Sequence, residues 1–323
     1  MIKFRGRYII QAEDKLAKIP EKGSIFLYRG CISKSKYPGI EVSTQKTLRL
    51  LGFEVYTSQD EACCGGLAYF SGFMPFKSFA TLIGWNLSIA KKYAENLVTP
   101  CNGCYASFYH VLKDIDKKGG KVEVEKVLHK VGVKPAWDIK VFHVAEVFYK
   151  VKEKIIKLQK VKLNGLKVAC HYGCHYLKTF PEEVLGSAEN PTFMDELVEL
   201  LGGKVVNYEE KHICCGGDFF QPEYTPEVSL KITEAKLKNI KEAEADLLLV
   251  PCPMCLSVFD EAPKKGDKNL GLPVLHISEF IGLILGLDPL KDLGLQAHLT
   301  PVNIPQTEDY LKKFKSLRRT LHQ

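Results

Sequence analysis

Two cysteine pairs, each followed by two glycines, are the residues of this sequence that most directly indicate chemistry. They lie in EACCGG at residues 61–66 and in HICCGG at residues 212–217. The α-carbons of adjacent residues lie ~3.8 Å apart across a trans peptide, whereas a disulfide usually requires roughly 4.4 to 6.8 Å. A relaxed disulfide within either pair is therefore not expected. Two adjacent thiolates can instead ligate one iron, or two irons, of a single cluster, and the glycines allow the backbone to turn tightly beside it.

Further cysteines surround each pair, because the sequence contains an internal repeat. GSIFLYRGCISKSK (23–36) matches LKVACHYGCHYLKT (166–179), and LVTPCNGCYASF (97–108) matches LLVPCPMCLSVF (248–259). In both halves 36 residues separate the cysteine pair from the CxxC motif. The sequence is therefore interpreted as two copies of a unit of ~125 residues. Each copy supplies five cysteines: Cys31, Cys63, Cys64, Cys101 and Cys104 in the first, and Cys174, Cys214, Cys215, Cys252 and Cys255 in the second.

The repeat also predicts how the 323-residue chain is divided. We expect a first domain at 24–150 and a second at 166–287, joined by a lysine-rich linker, predicted to be helical, at 151–165. Residues 1–23 and 288–323 are then extensions. With 46% hydrophobic and 26% charged residues, such a chain can bury a substantial core.

Short apolar runs alternate with longer segments of helical period in each half. IFLY, LVTP and KVFHV in the first half, and LKVAC, LLLVP and PVLHI in the second, predict buried strands. Apolar residues recur at helical spacing in 39–52, 78–97 and 227–245. This alternation predicts an α/β fold in which each domain has a small, mainly parallel sheet flanked by helices.

The predicted strands position the cysteines. Cys31, Cys101, Cys174 and Cys252 each follow a strand directly, at the sheet edge where open α/β folds bind their ligands. Both CxxC motifs then lead into a helix, and its free N–H groups and positive dipole end favour thiolates and an anionic cluster.

Composition restricts the setting of this chemistry. The amino terminus has no secretory signal pattern, and no run reaches the ~20 apolar residues of a membrane helix, so we expect a cytoplasmic protein without a membrane span. In a reducing compartment, eleven cysteines favour metal ligation or redox chemistry over structural disulfides. The net charge of +7 comes from lysines scattered among glutamates, which predicts a solvated surface and no nucleic-acid partner.

The order of these motifs resembles that of the cysteine-rich CCG-domain family. The pattern C-x31-CCG-x35-CxxC is followed by C-x39-CCG-x35-CxxC, and KYPGIE, CNGC, HYGCHYLK, the second CCGG, CPMC and PVLH are together similar to catalytic B subunits of heterodisulfide reductases. The resemblance covers about residues 24–287 and includes all ten cysteines. It implies a noncubane [4Fe-4S] cluster on the five cysteines of each domain, with a disulfide cleaved between the two clusters across a pseudo-twofold axis.

The same resemblance implies partners. Electrons would arrive from a ferredoxin-like C-type protein with cubane [4Fe-4S] clusters, which is supplied by a flavin-binding A-type protein. Neither half of this chain carries a convincing GxGxxG between strand and helix, so the flavin is not expected here. The residues that follow the two CCGG motifs, LAYF and DFFQ, depart from those expected in methanogen enzymes. This departure leaves the substrate open. The extensions at 1–23 and 288–323 are a second departure, and they leave open a related complex of sulfur oxidisers, which oxidises thiols or persulfides.

Two other functions are weighed against disulfide reduction. In one of them the chain transfers electrons within a lactate, glycolate or glycerol 3-phosphate dehydrogenase complex, without a disulfide substrate. In the other it is a zinc-binding scaffold, for which four ligands suffice and a fifth cysteine per site has no purpose.

Several residues near the motifs have competing interpretations. His175, next to Cys174, is the candidate catalytic residue, and the alternative is a packed, hydrogen-bonded histidine. His143 and His276 occupy equivalent repeat positions and are interpreted as fixing strand-to-helix turns. Cys170 belongs to neither set and is expected to be a small buried strand residue.

Aromatic and apolar residues outside the cysteine motifs are assigned less specific roles. Four aromatic residues follow the CCGG motifs: Tyr69, Phe70, Phe219 and Phe220. Core packing is their default interpretation, and a place in the wall of a substrate pocket is the alternative. Near the carboxyl terminus, an apolar stripe predicts a helix that docks on a partner or on a second copy of the chain, and packing on the body of its own chain is the alternative. It is formed by Leu311, Phe314, Leu317 and Leu321.

Overall fold

Two small parallel sheets form the centres of the two halves of the molecule. The structure is a computed structural model and describes residues 14–118, 120–217 and 224–312. The strands of the first sheet are β1 (Gly23–Leu27), β2 (Phe53–Tyr56), β3 (Asn96–Thr99) and β4 (Lys140–His143). Those of the second are β5 (Lys167–Cys170), β6 (Lys204–Val205), β7 (Leu247–Val250) and β8 (Val274–His276). Both sheets are wholly parallel, and their orders, β2-β1-β3-β4 and β6-β5-β7-β8, are the same. The predicted α/β fold is confirmed.

Helices follow most strands and cover the sheets. The first half contains α1 (Cys31–Ser35), α2 (Pro38–Leu50), α3 (Gly66–Phe70), α4 (Phe76–Lys91), α5 (Asn102–Asp114), α6 (Lys121–Lys130), α7 (Val144–Lys150) and α8 (Lys152–Leu158). The second contains α9 (Cys174–Lys178), α10 (Phe193–Leu200), α11 (Pro226–Glu242), α12 (Pro253–Lys265) and α13 (Ile277–Ile284). No helix within the described ranges is long and apolar enough to cross a bilayer.

The six strands predicted from apolar runs are present, and β2 and β6, one edge strand of each sheet, were missed. β2 is buried on one face only, and β6 has only two residues, so neither gives a continuous apolar run. The helix expected to extend to residue 97 ends at Lys91, because Asn96 already pairs with the neighbouring strand. The linker is helical only over Lys152–Leu158. The prediction of a helix over 159–165 is wrong.

Buried contacts join the two halves. The Tyr176 hydroxyl donates to Glu146 Oε1 (2.7 Å), and the Tyr37 hydroxyl donates to Asp260 Oδ2 (2.8 Å). α13 of the second half packs against α2 of the first. Apolar residues of both sheets belong to one continuous core, so the halves are packed against each other rather than tethered.

The carboxyl-terminal extension packs on this core. Leu293 and Val302 are fully buried, and His298 pairs with the buried carboxylate of Glu279 (3.1 Å). Leu311 also contacts the core. The other members of its predicted stripe, Phe314, Leu317 and Leu321, lie outside the described residues, as do Phe219 and Phe220.

Gly39 marks the closest approach between the first half and this extension, which gives a test of the packing. A β-carbon at Gly39 would lie 1.9 Å from the carbonyl oxygen of Leu293. We expect Gly39→Ala to lower the free energy of unfolding by about 1–3 kcal/mol through overpacking. Chemical denaturation under anaerobic conditions measures it. Gly271→Ala is the matched control, because its nearest atom would lie 3.5 Å away. Equal stability of both variants would contradict the packing.

Candidate functional site

The ten cysteines of the two motif sets converge at the carboxyl ends of the strands. In the first half they follow β1, β2 and β3, either in the loop or in the first turn of the next helix, and in the second half they follow β5, β6 and β7 in the same way. All strands of a parallel sheet end at the same edge, so residues far apart in sequence are brought together there. All eleven cysteines are described, and none forms a disulfide.

The thiols form a continuous series of contacts within each half. In the first half, Cys31 contacts Cys63, the pair Cys63 and Cys64 is in mutual contact, and Cys104 contacts both Cys64 and Cys101. The predicted set of five is therefore brought together.

The second half repeats this series with its own five residues. Cys174 Sγ lies 3.9 Å from Cys214 Sγ, Cys215 contacts both Cys214 and Cys255, and Cys252 contacts Cys255. The order of contacts is the same as in the first half, as the repeat predicts.

The two sets meet at Cys101 and Cys252, whose thiols are in contact. Each is the amino-terminal residue of a CxxC motif and the N-cap residue of a helix, α5 or α12. Ten thiols thus form one connected group that crosses the boundary between the halves. No sequence spacing predicted this contact.

Burial differs systematically along each set. Cys31 and Cys63 are exposed, whereas Cys64 and Cys104 are buried. In the second half the outer pair, Cys174 and Cys214, is partly exposed, and the inner thiols are buried. Each set therefore has one side that solvent reaches and one side enclosed by protein.

The first cysteine of each CC pair has a lowered pKa, which favours its thiolate form. A hydrogen bond from Cys31 lowers the pKa of Cys63 to about 2, and a hydrogen bond from Cys174 lowers the pKa of Cys214 to about 2. Backbone N–H groups two residues further on also donate to these sulfurs, at 3.5 Å for Gly65 and 3.4 Å for Gly216. Thiolate is the form of cysteine that binds metals.

The glycines after each pair permit a close approach of neighbouring elements. A β-carbon on Gly66 would lie 2.2 Å from Ser107 Oγ of α5. Gly216 has a φ of 92°, and its β-carbon would lie 2.5 Å from Thr233 Oγ1 of α11. Any larger residue would push the CC loop away from the helix against which it packs.

Each half also holds the cysteine loops of the other. Asn102, between the cysteines of the first CxxC motif, is buried and donates from Nδ2 to the Tyr172 carbonyl (2.8 Å), two residues before Cys174. In the opposite direction, His276 Nε2 donates to the carbonyl of Pro100 (2.9 Å), next to Cys101. The relative position of the two thiol sets is therefore fixed by reciprocal hydrogen bonds.

The structural interpretation of the repeated histidines is confirmed. His143 Nδ1 accepts from the backbone N–H of Ala145, and His276 Nδ1 accepts from that of Ser278, both at 3.1 Å. Each caps the helix after its strand, with a glutamate three residues later completing a capping box. Cys170 is also as expected, fully buried in β5.

His175 lies beside the second thiol set. Its Nδ1 is 3.8 Å from Cys174 Sγ, and its ring centroid is 5.9 Å from that of Phe70 in the first half. Tyr69 stacks on Phe79 (4.2 Å) and its hydroxyl contacts His110 Nε2 (2.9 Å), so it belongs to a packed aromatic cluster.

Two buried polar residues near the second set were missed by sequence reasoning. His171 offers a ring nitrogen within 4.8 Å of the sulfurs of Cys215 and Cys255, and burial lowers its pKa to about 3, so the ring is neutral at pH 7. Lys236 of α11 is fully buried behind the second CC loop. The only sequence signal was that His171 precedes Cys174 by three residues, whereas the aligned residue of the first half is Tyr28.

Two openings adjoin the thiols. A cavity of about 20 Å³ is lined by Cys174, Cys215, Cys252 and Cys255, together with Asn102, His175, Gly217 and Met254. A groove of about 620 Å³ runs between the halves, with Ile32 and Leu67 on one side and Leu230 and Met254 on the other. Met254 lines both openings, so the groove leads toward the second thiol set.

The donor set fits iron-sulfur ligation. Clusters of iron and sulfide are held by cysteine thiolates, and each half supplies five in mutual contact, one of them with a strongly lowered pKa. The buried Asn102 Oδ1 and both ring nitrogens of His171 make no hydrogen bond within the described ranges, which leaves polar atoms available beside the second set.

Comparison with known proteins agrees with this chemistry. A cysteine-rich domain named CCG matches residues 25–109 and 168–260. The chain is 34% identical, over 84% of its length and 91% of the relative's, to the B subunit of the Ferredoxin/F(420)H(2)-dependent CoB-CoM heterodisulfide reductase of Methanosarcina acetivorans. It is 30% identical (83% and 94%) to the 8-methylmenaquinol:fumarate reductase membrane anchor subunit of Wolinella succinogenes. It is 26% identical (80% and 97%) to Lactate utilization protein A 1 of Bacillus anthracis.

Asn102 tests whether hydrogen bonds between the halves maintain the site. In Asn102→Ala the buried Tyr172 carbonyl loses its partner, so we expect the free energy of unfolding to fall by about 1–3 kcal/mol. Denaturation of the anaerobic protein measures this change. Asn190→Ala, at an exposed asparagine, is the control and is expected to change stability by less than about 0.5 kcal/mol. An Asn102→Ala variant as stable as the control would show that this bond does not join the halves.

Proposed function

The chain belongs to the cysteine-rich CCG domain family, and we propose that it is the catalytic iron-sulfur subunit of a heterodisulfide reductase or heterodisulfide reductase-like complex. The reaction is the reduction of a disulfide by two electrons and two protons to two thiols. One observation carries the proposal: both five-cysteine sets are complete, and they touch at Cys101 and Cys252. A reaction that needs two redox centres side by side accounts for this contact.

We assign one noncubane [4Fe-4S] cluster to each set. The first is held by Cys31, Cys63, Cys64, Cys101 and Cys104, and the second by Cys174, Cys214, Cys215, Cys252 and Cys255. When bound, such clusters supply one-electron transfer and iron sites with affinity for sulfur. The buried thiols hold the clusters, and the more exposed outer thiols leave one side of each open to substrate.

We assign substrate binding to the groove of about 620 Å³ between the halves. Ile32 and Leu67 on one side and Leu230 and Met254 on the other give it apolar surface for a bound disulfide, and polar and charged residues, among them Lys36 and Glu261, line the rest. His175, beside Cys174 and at the adjoining cavity, is assigned to transfer a proton to a product thiolate. Reversed, the same arrangement oxidises thiols or persulfides, and the direction depends on the potentials of substrate and donor.

The partners follow from the same proposal. The B subunit of such a complex implies further subunits, and we expect a ferredoxin-like C-type protein with cubane [4Fe-4S] clusters and a flavin-binding A-type protein. The cytoplasm is the expected location, because the cysteines must remain reduced to bind iron. The alternative is electron transfer within a lactate, glycolate or glycerol 3-phosphate dehydrogenase complex, and the likeness to a lactate utilization protein supports it.

Iron content tests the cofactor assignment. Anaerobically prepared protein is expected to be brown and to contain about eight irons per chain, four for each of two [4Fe-4S] clusters. Metal analysis and visible absorption measure this. Stoichiometric zinc with almost no iron in a colourless protein would contradict it, because zinc thiolates do not absorb visible light.

Separate removal of each set tests the chemistry. We expect Cys64→Ala and Cys215→Ala each to abolish disulfide reduction with a reduced viologen donor, because both sets are needed. Each variant should keep about four irons, since the ligand sets are separate. Cys170→Ala, at the buried cysteine outside both sets, is the control and should keep its iron and its activity.

Substantial turnover by a variant that lacks its own cluster would contradict reduction between two centres. It would mean that one cluster carries out the disulfide chemistry and the other only relays electrons.

A further inference from the structure

The repeat allows each site residue of one half to be compared with its counterpart in the other. The motifs LYRGC and CHYGC place Tyr28 opposite His171, three residues before Cys31 and Cys174 respectively. Both side chains are buried and lie beside the inner thiols of their own half. The two side chains differ in the hydrogen bonds that their polar atoms make.

The Tyr28 hydroxyl is already engaged by the backbone. It donates its proton to the carbonyl oxygen of Ala62 at 2.7 Å, next to the first CC pair. No proton on this side chain is left to donate to a sulfur of the first set.

His171 has a proton available. The side chain is completely buried, its ring packs edge-on against Phe259 (5.3 Å, 85°), and neither ring nitrogen makes a hydrogen bond within the described part of the chain. A ring nitrogen lies within 4.8 Å of the sulfurs of Cys215 and Cys255. A neutral imidazole carries one N–H, and burying it without an acceptor is costly. The acceptors near the ring are the sulfurs of this set and the backbone carbonyl of Lys211, which already accepts from Lys236 Nζ (3.2 Å).

A second difference lies behind the CC loops, where a helix of each half binds the residue that precedes the pair. In the first half, Asn86 Oδ1 accepts from the Ala62 N–H (2.9 Å), so a neutral amide is used. In the second, Lys236 Nζ donates to the carbonyls of Glu210 (2.9 Å), Lys211 (3.2 Å) and Ile213 (2.7 Å). The second set therefore has a buried cation held by neutral carbonyls.

Cations near the first set are neutralised. The Arg29 guanidinium pairs with Glu61 (2.7 Å) and Glu41 (3.2 Å), and Lys34 shares the same Glu61 carboxylate (3.3 Å). The positive charge that acts on the first set is therefore largely compensated, whereas that of Lys236 is not compensated by a salt bridge within the described residues.

We propose that His171 donates an N–H···S hydrogen bond to the inner sulfurs of the second set and, with Lys236 behind it, makes the second iron-sulfur centre the more easily reduced of the two. The inference rests on the proposed function, because it requires a cluster in each half. Reduction adds negative charge to a cluster and its thiolates. Donors to the sulfurs and nearby positive charge stabilise that charge, and both raise the reduction potential. His171 is thus a positioning and tuning residue, and the five cysteines remain the ligands.

The test compares His171→Phe with the parent by potentiometric titration, followed by electron paramagnetic resonance and visible absorption. Phenylalanine keeps a planar ring of similar size and removes the N–H. We expect the higher of the two midpoint potentials to move to a more negative value and the lower one to stay. His171→Gln, which restores an N–H donor, is expected to recover part of the shift. Tyr28→Phe is the matched control in the first half and should leave the higher potential unchanged.

A second variant keeps the test decisive if His171→Phe loses iron. Lys236→Met removes the buried charge at a distance from the sulfurs and is expected to shift the same, higher potential in the negative direction. Histidine labelled with ¹⁵N provides an independent readout. A weak hyperfine coupling, as for a hydrogen bond to sulfur, is expected from His171 in the wild type; His171→Phe should lose this coupling and keep that of His175, which lies 3.8 Å from Cys174 Sγ.

Three results separate failure of this inference from failure of the proposed function. Protein that contains no iron would contradict both. Full iron content with both midpoint potentials unchanged in His171→Phe and Lys236→Met would overturn the inference and leave the proposed function intact. A strong coupling from nitrogen bonded to iron would also overturn it, because His171 would then be a ligand.

Discussion

Ten thiol groups in mutual contact, at the place where the carboxyl ends of two parallel sheets meet, are the constraint on which the rest of this structure depends. Thiolates packed this closely repel one another, and burial opposes their ionisation. The hydrogen bonds that lower the pKa of Cys63 raise that of Cys31, so the protein alone does not ionise the whole set. Bound metal removes this conflict, because a cation compensates several thiolates at once. The arrangement is therefore built for a metal cluster.

The remaining features keep these loops in place. Gly66 and Gly216 let the CC loops lie directly against helices, and the N-cap positions of Cys101 and Cys252 direct free backbone N–H groups toward the thiols. Asn102 then ties the first CxxC loop to the second half. Each of these contacts restricts backbone rather than side-chain movement, so the ligand set is positioned before a cluster binds.

An internal duplication explains the features that the two halves share, and sequence divergence between the halves explains how they differ. The halves agree in strand order, in the 36 residues between the CC pair and the CxxC motif, and in the histidine caps. They differ in the side chain beside the inner thiols, Tyr28 against His171, and in the side chain behind the CC loop, Asn86 against Lys236. Two centres with the same ligands can therefore have different electronic surroundings. A protein that accepts electrons at one centre and uses them beside another benefits from such a difference.

The sequence alone determined the repeat, the α/β class, six of the eight strands and the ten cysteines, because period and spacing are local properties of the chain. The family comparison agrees with that assignment. β2 and β6 were not predicted, because β2 is buried on one face only and β6 has only two residues, so neither gives a continuous apolar run. Only tertiary structure decided that Cys101 meets Cys252, that His276 holds the loop of the opposite half, and that His171 is buried beside two sulfurs. The first two contacts join residues that are distant in sequence, and the burial of His171 depends on which neighbouring residues exclude water from it. Local sequence spacing predicts neither property.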